Sequence, residues 1–356
     1  MTSSHESSKR LLFPLVNALV FMMLFGVIGY YLLDLTRWLL AGMVTGLGIG
    51  LVVEFGLGLI GGWIYRRRVL LSALLEVVLV IAFVGPFAYF YMNTTPKQHT
   101  VCCIEGSGLG DAVEAVRIPV ANGETLAGWY APPVDGSGAV VMVLHGNGGD
   151  RTGSLAHARV LHEEGFGVLV YDQRASGEST GHQRSIGLYD QRDITPIIDW
   201  LAARPEVDEQ RIGGVGLSLG AHILLGAAPD ELRLKALWAD GLGVNNGDDL
   251  PPSDSPSDVL INFISRQAYW MAEAYLDEQL IPCKQLIPQV APRPLMLVAG
   301  GQDPFEGEFN RAYEPYLGEH GELWIIDNAG HTAGLRTEPE LYPARMIDFF
   351  DKALRQ

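Results

Sequence analysis

The chain has 356 residues, 48% hydrophobic and only 19% charged, with a net charge of −16 and a mean hydropathy of +0.16. Such apolar content with only three cysteines excludes a disordered chain, a collagen-like repeat and a small disulfide scaffold. The charge is unevenly spread. Of the 25 Lys and Arg, six lie in residues 1–93 against four acids, which leaves 19 basic and 37 acidic residues in 94–356, a net of −18. So acidic a region excludes nucleic acid as a partner, because phosphate binding needs a basic patch.

Three apolar runs, 11–33, 38–64 and 69–92, each exceed the roughly 20 residues that span a bilayer core as a helix. The first is too long for a signal-peptide core and no small-residue cleavage site follows it. Three transmembrane helices are therefore expected, forming an anchor over 1–93. Lys9, Arg10 and Arg66–Arg68 lie on one side of these spans, Arg37 and Lys97 on the other. The positive-inside rule then puts the amino terminus in the cytoplasm of a multi-pass membrane protein, and residues 94–356 outside. Gly42, Gly46 and Gly50 in the second span allow close helix approach, hence packing on a neighbour or homo-oligomerisation. Glu54 and Glu76 are intramembrane carboxylates, but three spans make a thin case for a transport path.

A polar linker covers 94–110. Runs 113–119 and 125–130 flank an Asn-Gly turn and predict a hairpin. Beyond it strands at 139–144, 168–171, 212–217, 236–239, 294–299 and 322–326 alternate with helices at 155–164, 188–203, 219–228 and 338–354. That rhythm predicts a mainly parallel α/β sheet flanked by helices over 111–356. The stretch 242–290 interrupts it and is expected to form a small helical lid, the alternative being helices packed on the sheet flank.

Gly216-Leu217-Ser218-Leu219-Gly220 follows a predicted strand and opens a predicted helix, the setting of a nucleophile elbow. A serine hydroxyl needs a base and an orienting acid. His331 and Asp303, each just after a predicted strand, supply them in the chain order Ser218, Asp303, His331. For Asp303 the competing reading is a helix cap, and Asp240 is the rival acid. The oxyanion hole draws on the N–H of Leu219 and, from His145-Gly146-Asn147-Gly148-Gly149, that of Asn147, with Gly148 as the alternative. His145 and His222 read as structural, and His157, His162, His182 and His320 as solvated. No cofactor and no metal are expected: H-E-x-x-H and a dinucleotide fingerprint are both missing. Cys283 could pair with Cys102 or Cys103, with three free thiols as the simpler reading.

Taken in order, the His145–Gly149 loop, Asp172-Gln173-Arg174-Ala175-Ser176-Gly177-Glu178-Ser179, Gly216–Gly220, Gly301-Gln302-Asp303 and Gly330-His331 resemble the landmarks of the α/β-hydrolase superfamily. The likeness is greatest to its serine-aminopeptidase-like and dienelactone-hydrolase-like branches and to membrane-tethered relatives. Ala175 stands where glycine is common. The resemblance implies the α/β-hydrolase fold and hydrolysis of an ester, amide or thioester of a small-molecule, lipid or peptide acyl substrate, beside the bilayer. A non-catalytic sensor or scaffold is the reading from another class.

Overall fold

Residues 93–252 and 255–356 are described by the computed structural model, and one eight-stranded sheet runs through them. The three expected membrane spans lie outside the described residues; among those described, no helix is long and apolar enough to cross a membrane. The strands are β1 (Lys97–Gln98), β2 (Glu114–Pro119), β3 (Thr125–Ala131), β4 (Val140–Leu144), β5 (Gly167–Tyr171), β6 (Ser176–Gly177), β7 (Ile212–Leu217), β8 (Leu234–Asp240), β9 (Leu295–Gly300) and β10 (Gly321–Ile326). The helices are α1 (Leu155–Glu163), α2 (Asp190–Ala202), α3 (Leu219–Ala227), α4 (Pro256–Leu276), α5 (Cys283–Val290), α6 (Pro304–Tyr313), α7 (Gly334–Thr337) and α8 (Leu341–Leu354).

The sheet order is β10-β9-β8-β7-β4-β5-β3-β2, and only β3 runs against its neighbours. The predicted hairpin is β2–β3, closed by Asn122 in a left-handed conformation. β4, β5 and β7 are buried at every residue, which their unbroken apolar runs require, since helices cover both faces. Leu155, Leu161, Tyr342, Met346 and Phe350 of α1 and α8 pack one face. Ile194, Ile197, Ile223 and Leu286 of α2, α3 and α5 pack the other.

β4 connects outward to β5, whereas β7 lies on the other side of β4. Where consecutive connections leave in opposite directions, a crevice opens at the carboxyl edge of a parallel sheet. The Gly-rich loop at 145–149 follows β4 and Ser218 follows β7, so both flank that crevice.

The Asp172–Ser179 segment is a second organising feature. The Asp172 carboxylate accepts the Arg151 and Glu178 N–H groups at 2.7 and 2.8 Å. Arg174 grips Asp193 of α2 bidentately at 2.5 and 2.6 Å, both side chains being buried. Ala175 takes the positive φ of 54° at which glycine is common. Its methyl group is fully buried, so the substitution adds packing where it strains the backbone.

Removing one partner of a buried ion pair strands the other charge. Asp193→Ala should therefore lower stability by about 3–5 kcal/mol, read as a loss in the free energy of chemical unfolding. A change under 1 kcal/mol would refute the structural weight placed on this pair.

Candidate functional site

Ser218 joins β7 to α3 with φ 53° and ψ −110°, outside the regions that L residues favour. The turn is this tight because of its flanking glycines. A Cβ on Gly216 would lie 2.4 Å from the Gly220 carbonyl, and one on Gly220 would lie 2.6 Å from the Leu144 carbonyl oxygen. The Ser218 N–H donates to the Asp240 carbonyl at 2.7 Å, fixing the elbow to the end of β8. Its hydroxyl stands at the amino terminus of α3, where backbone N–H groups lack helical partners.

Ser218 Oγ lies 2.9 Å from His331 Nε2 across 113 residues of sequence. His331 Nδ1 is hydrogen-bonded to Glu306 Oε2, not to Asp303. A carboxylate can only accept, so Nδ1 carries the proton and Nε2 is left to accept from the serine. Glu306 is almost fully buried, and its other oxygen accepts the Gly300 N–H at 2.6 Å. Its hydrogen bond to the imidazole raises the His331 pKa above 6.5, against the opposing effect of burial. Gly241 makes room for the ring: a Cβ there would sit 2.8 Å from His331 Cε1.

The expectation that Asp303 orients the histidine is thereby corrected. Asp303 is the N-cap of α6, its carboxylate accepting the Phe305 and Glu306 N–H groups at 3.0 and 3.2 Å. The competing helix-cap reading describes its contacts. With Pro304 following and Glu306 three residues on, Asp-Pro-Phe-Glu is a helix-start signal in its own right. In a full capping box the glutamate would turn back to the cap; here it turns inward to Gly300 and His331. The rival acid Asp240 also points elsewhere. It accepts from Tyr342 Oη at 2.6 Å, and Tyr342 accepts from Trp238 Nε1 at 2.8 Å. Burial pushes the Asp240 pKa up to about 7.

The loop after β4 runs beside the serine, the ideal Cβ position on Gly146 being 3.4 Å from Ser218 Cβ. Its Asn147 side chain donates to Asn93 Oδ1, so the start of the described chain meets this loop. His145 is structural, as expected: it is buried, Nε2 accepts the Gln173 N–H at 3.1 Å, and burial lowers its pKa to about 4. His222 is lowered to about 4 as well, with Nδ1 3.6 Å from Cys283 Sγ. His157, expected to be solvated, is instead buried with its ring edge-on to Tyr342. It lies four residues before Leu161, on the inward face of α1. Cys283 is buried and free, so it pairs with neither Cys102 nor Cys103.

Within 242–290, α5 is part of the core, its Cys283, Leu286, Ile287 and Val290 being buried. α4 is held by Tyr189 Oη to the Leu276 carbonyl, Tyr269 Oη to the Val244 carbonyl, Asn262 Nδ2 to the Pro251 carbonyl and the Leu280 N–H to Glu273 Oε1. Between α4 and α6 lies a cavity of about 320 Å³ lined by Val244, Ile261, Asn262, Phe305, Glu308 and Phe309. Phe305 directly precedes Glu306, so the cavity wall and the histidine's partner share one turn of α6. Among the described residues no cluster of side chains is suited to hold a metal ion.

A family model described as X-Pro dipeptidyl-peptidase (S15 family) matches residues 130–250. An uncharacterised protein of Mycobacterium tuberculosis is 38% identical over 114 residues, covering 32% of this chain and 40% of that protein. The uncharacterised protein YfhR of Escherichia coli is 26% identical over 256 residues, 68% of this chain and 82% of YfhR. The chain thus spans less than half of the Mycobacterium relative. Among solved structures, the Pyrococcus furiosus esterase Pf2001 superposes with a TM-score of 0.57 at 21% identity, over 73% of this chain and all but 1% of that one. A dienelactone hydrolase from Anabaena variabilis does so with 0.51 at 20% identity, covering 68% of this chain and 98% of the other. The sheet order, the elbow and these superpositions together identify the architecture of residues 93–356 as the α/β-hydrolase fold.

Proposed function

We propose that the chain is a serine hydrolase that cleaves acyl esters through an acyl-enzyme. The observation that carries the reading is the hydrogen-bonded series Ser218–His331–Glu306, assembled from three separate elements at the sheet's crevice. Ser218 Oγ attacks the substrate carbonyl as His331 Nε2 takes its proton. The imidazolium, stabilised by Glu306, then protonates the leaving alcohol. Water, deprotonated by the same nitrogen, attacks the acyl carbonyl and releases the acid and free Ser218. The N–H groups of Leu219 and Asn147 serve the oxyanion, aided by the amino terminus of α3. The cavity between α4 and α6, mostly apolar in its lining, suits an acyl chain. The apolar runs in residues 11–92 would hold the enzyme on a membrane.

The match to the X-Pro dipeptidyl-peptidase model favours a second reading, a peptidase using the same residues. Kinetics on p-nitrophenyl esters of graded chain length beside X-Pro p-nitroanilides separate the two. The ester reading expects turnover of the esters that rises with chain length, and little of the anilides.

A fluorophosphonate probe should label the wild type and fail on Ser218→Ala, whose turnover should fall by about 10⁴-fold or more. Labelling that survives in Ser218→Ala would remove Ser218 from the mechanism.

The two carboxylates of α6 should separate cleanly. Glu306→Gln should lower kcat/KM by about 10²–10⁴-fold, since it loses the charge that holds and stabilises the imidazolium. Asp303→Ala should keep most turnover and cost about 1 kcal/mol of stability as a lost cap. The reverse ranking would restore Asp303 as the orienting acid.

The base must be neutral to act, so kcat/KM should rise with pH through a midpoint above 6.5, the ordinary histidine value. Glu306→Gln should move that midpoint down. An unmoved midpoint in the residual activity would show that another group governs the titration.

A further inference from the structure

α4 runs from Pro256 to Leu276, about 30 Å at 1.5 Å per residue. Ala268, Ala272 and Leu276 face inward and are buried. The opposite side carries Val259, Phe263 and Trp270, which fall within about 40° of arc at 3.6 residues per turn. They are 56%, 44% and 63% exposed. Large apolar side chains on the outward face of a lid are costly in water unless something covers them.

Two further observations bear on what that is. The first is where the chain arrives. Asn93, the first described residue, meets Asn147 just beyond the carboxyl end of β4, and Lys97 pairs through β1 with β6 on the same edge. α4 follows the carboxyl end of β8, also on that edge. Asn93 therefore lies on the edge that carries α4, and the 92 residues before it in the sequence contain the three long apolar runs. The second is charge. Arg266 is the sole basic residue of α4, and residues 94–356 have a net charge of −18. An anionic surface is disfavoured and an uncharged one is not.

We infer that Val259, Phe263 and Trp270 of α4 lie in the interfacial layer of a zwitterionic lipid bilayer, so that the cavity between α4 and α6 fills with acyl ester dissolved in that lipid. The substrate half of this inference rests on the hydrolase reading; the surface contact does not. None of the three residues lines the cavity or belongs to the catalytic series.

The full-length chain in phosphatidylcholine vesicles supplies the test. Trp270 emission, taken as the difference between wild type and Trp270→Tyr, should be strongly quenched when the acyl chains are brominated near the headgroup. The double variant Phe263→Ser/Trp270→Ser should hydrolyse p-nitrophenyl palmitate held in the vesicles about tenfold more slowly, through loss of apolar contact with lipid. Its rate on soluble p-nitrophenyl butyrate should stay within about twofold of wild type, which also shows that it folds. Trp270 emission indifferent to bromine would overturn the inference. So would emission that follows the protein-to-lipid ratio instead, because a second copy would then cover the face. If the wild type hydrolyses neither ester, the hydrolase reading and the substrate half fail together, while bromine quenching still decides the surface contact.

Discussion

The imidazole of His331 has to be held from two sides at once, and the rest of the site depends on that constraint. Nε2 must face Ser218 Oγ, which is possible only because a strained elbow lifts the serine at the end of β7. Nδ1 must meet a buried carboxylate, and Glu306 is fixed for that purpose by the Gly300 N–H at the end of β9. The histidine's own loop follows β10. The segments that follow β7, β9 and β10 of one sheet therefore deliver three side chains to one edge. A rigid sheet sets their spacing, and loops supply the chemistry.

Much of this was legible in the sequence. Apolar runs bounded by turn residues marked each inner strand, and Gly216-Leu217-Ser218-Leu219-Gly220 marked the elbow, because both signals are local. The orienting acid was not legible in the same way. Asp303 satisfies the chain-order pattern, and nothing local says that its Oδ1 accepts the first N–H groups of α6. The Asp-Pro-Phe-Glu start of that helix did carry the hint, since a capping aspartate is turned towards its own helix's first N–H groups. Which carboxylate then reaches His331 is settled by long-range packing. The burial of His157 was hidden for a related reason. A histidine in a polar-looking helix reads as solvated, yet its register with Leu161 puts it in the core against Tyr342.

The acids around the site show how burial divides labour among like groups. Asp240 is closed off beneath Tyr342 and Trp238, where burial raises its pKa to about 7. Asp303 is engaged by backbone. Glu306 alone combines deep burial with a hydrogen bond to the imidazole. Beside this centre α4 packs Ala268, Ala272 and Leu276 inward and carries apolar side chains outward.

Proton NMR of the full-length protein labelled with ¹⁵N-histidine reads the central contact most directly, through the His331 Nδ1 proton. A resonance far downfield of the amide region should be present in the wild type and in Asp303→Ala, and absent from Glu306→Gln. Its survival in Glu306→Gln, with loss in Asp303→Ala, would contradict the account and return the orienting role to Asp303.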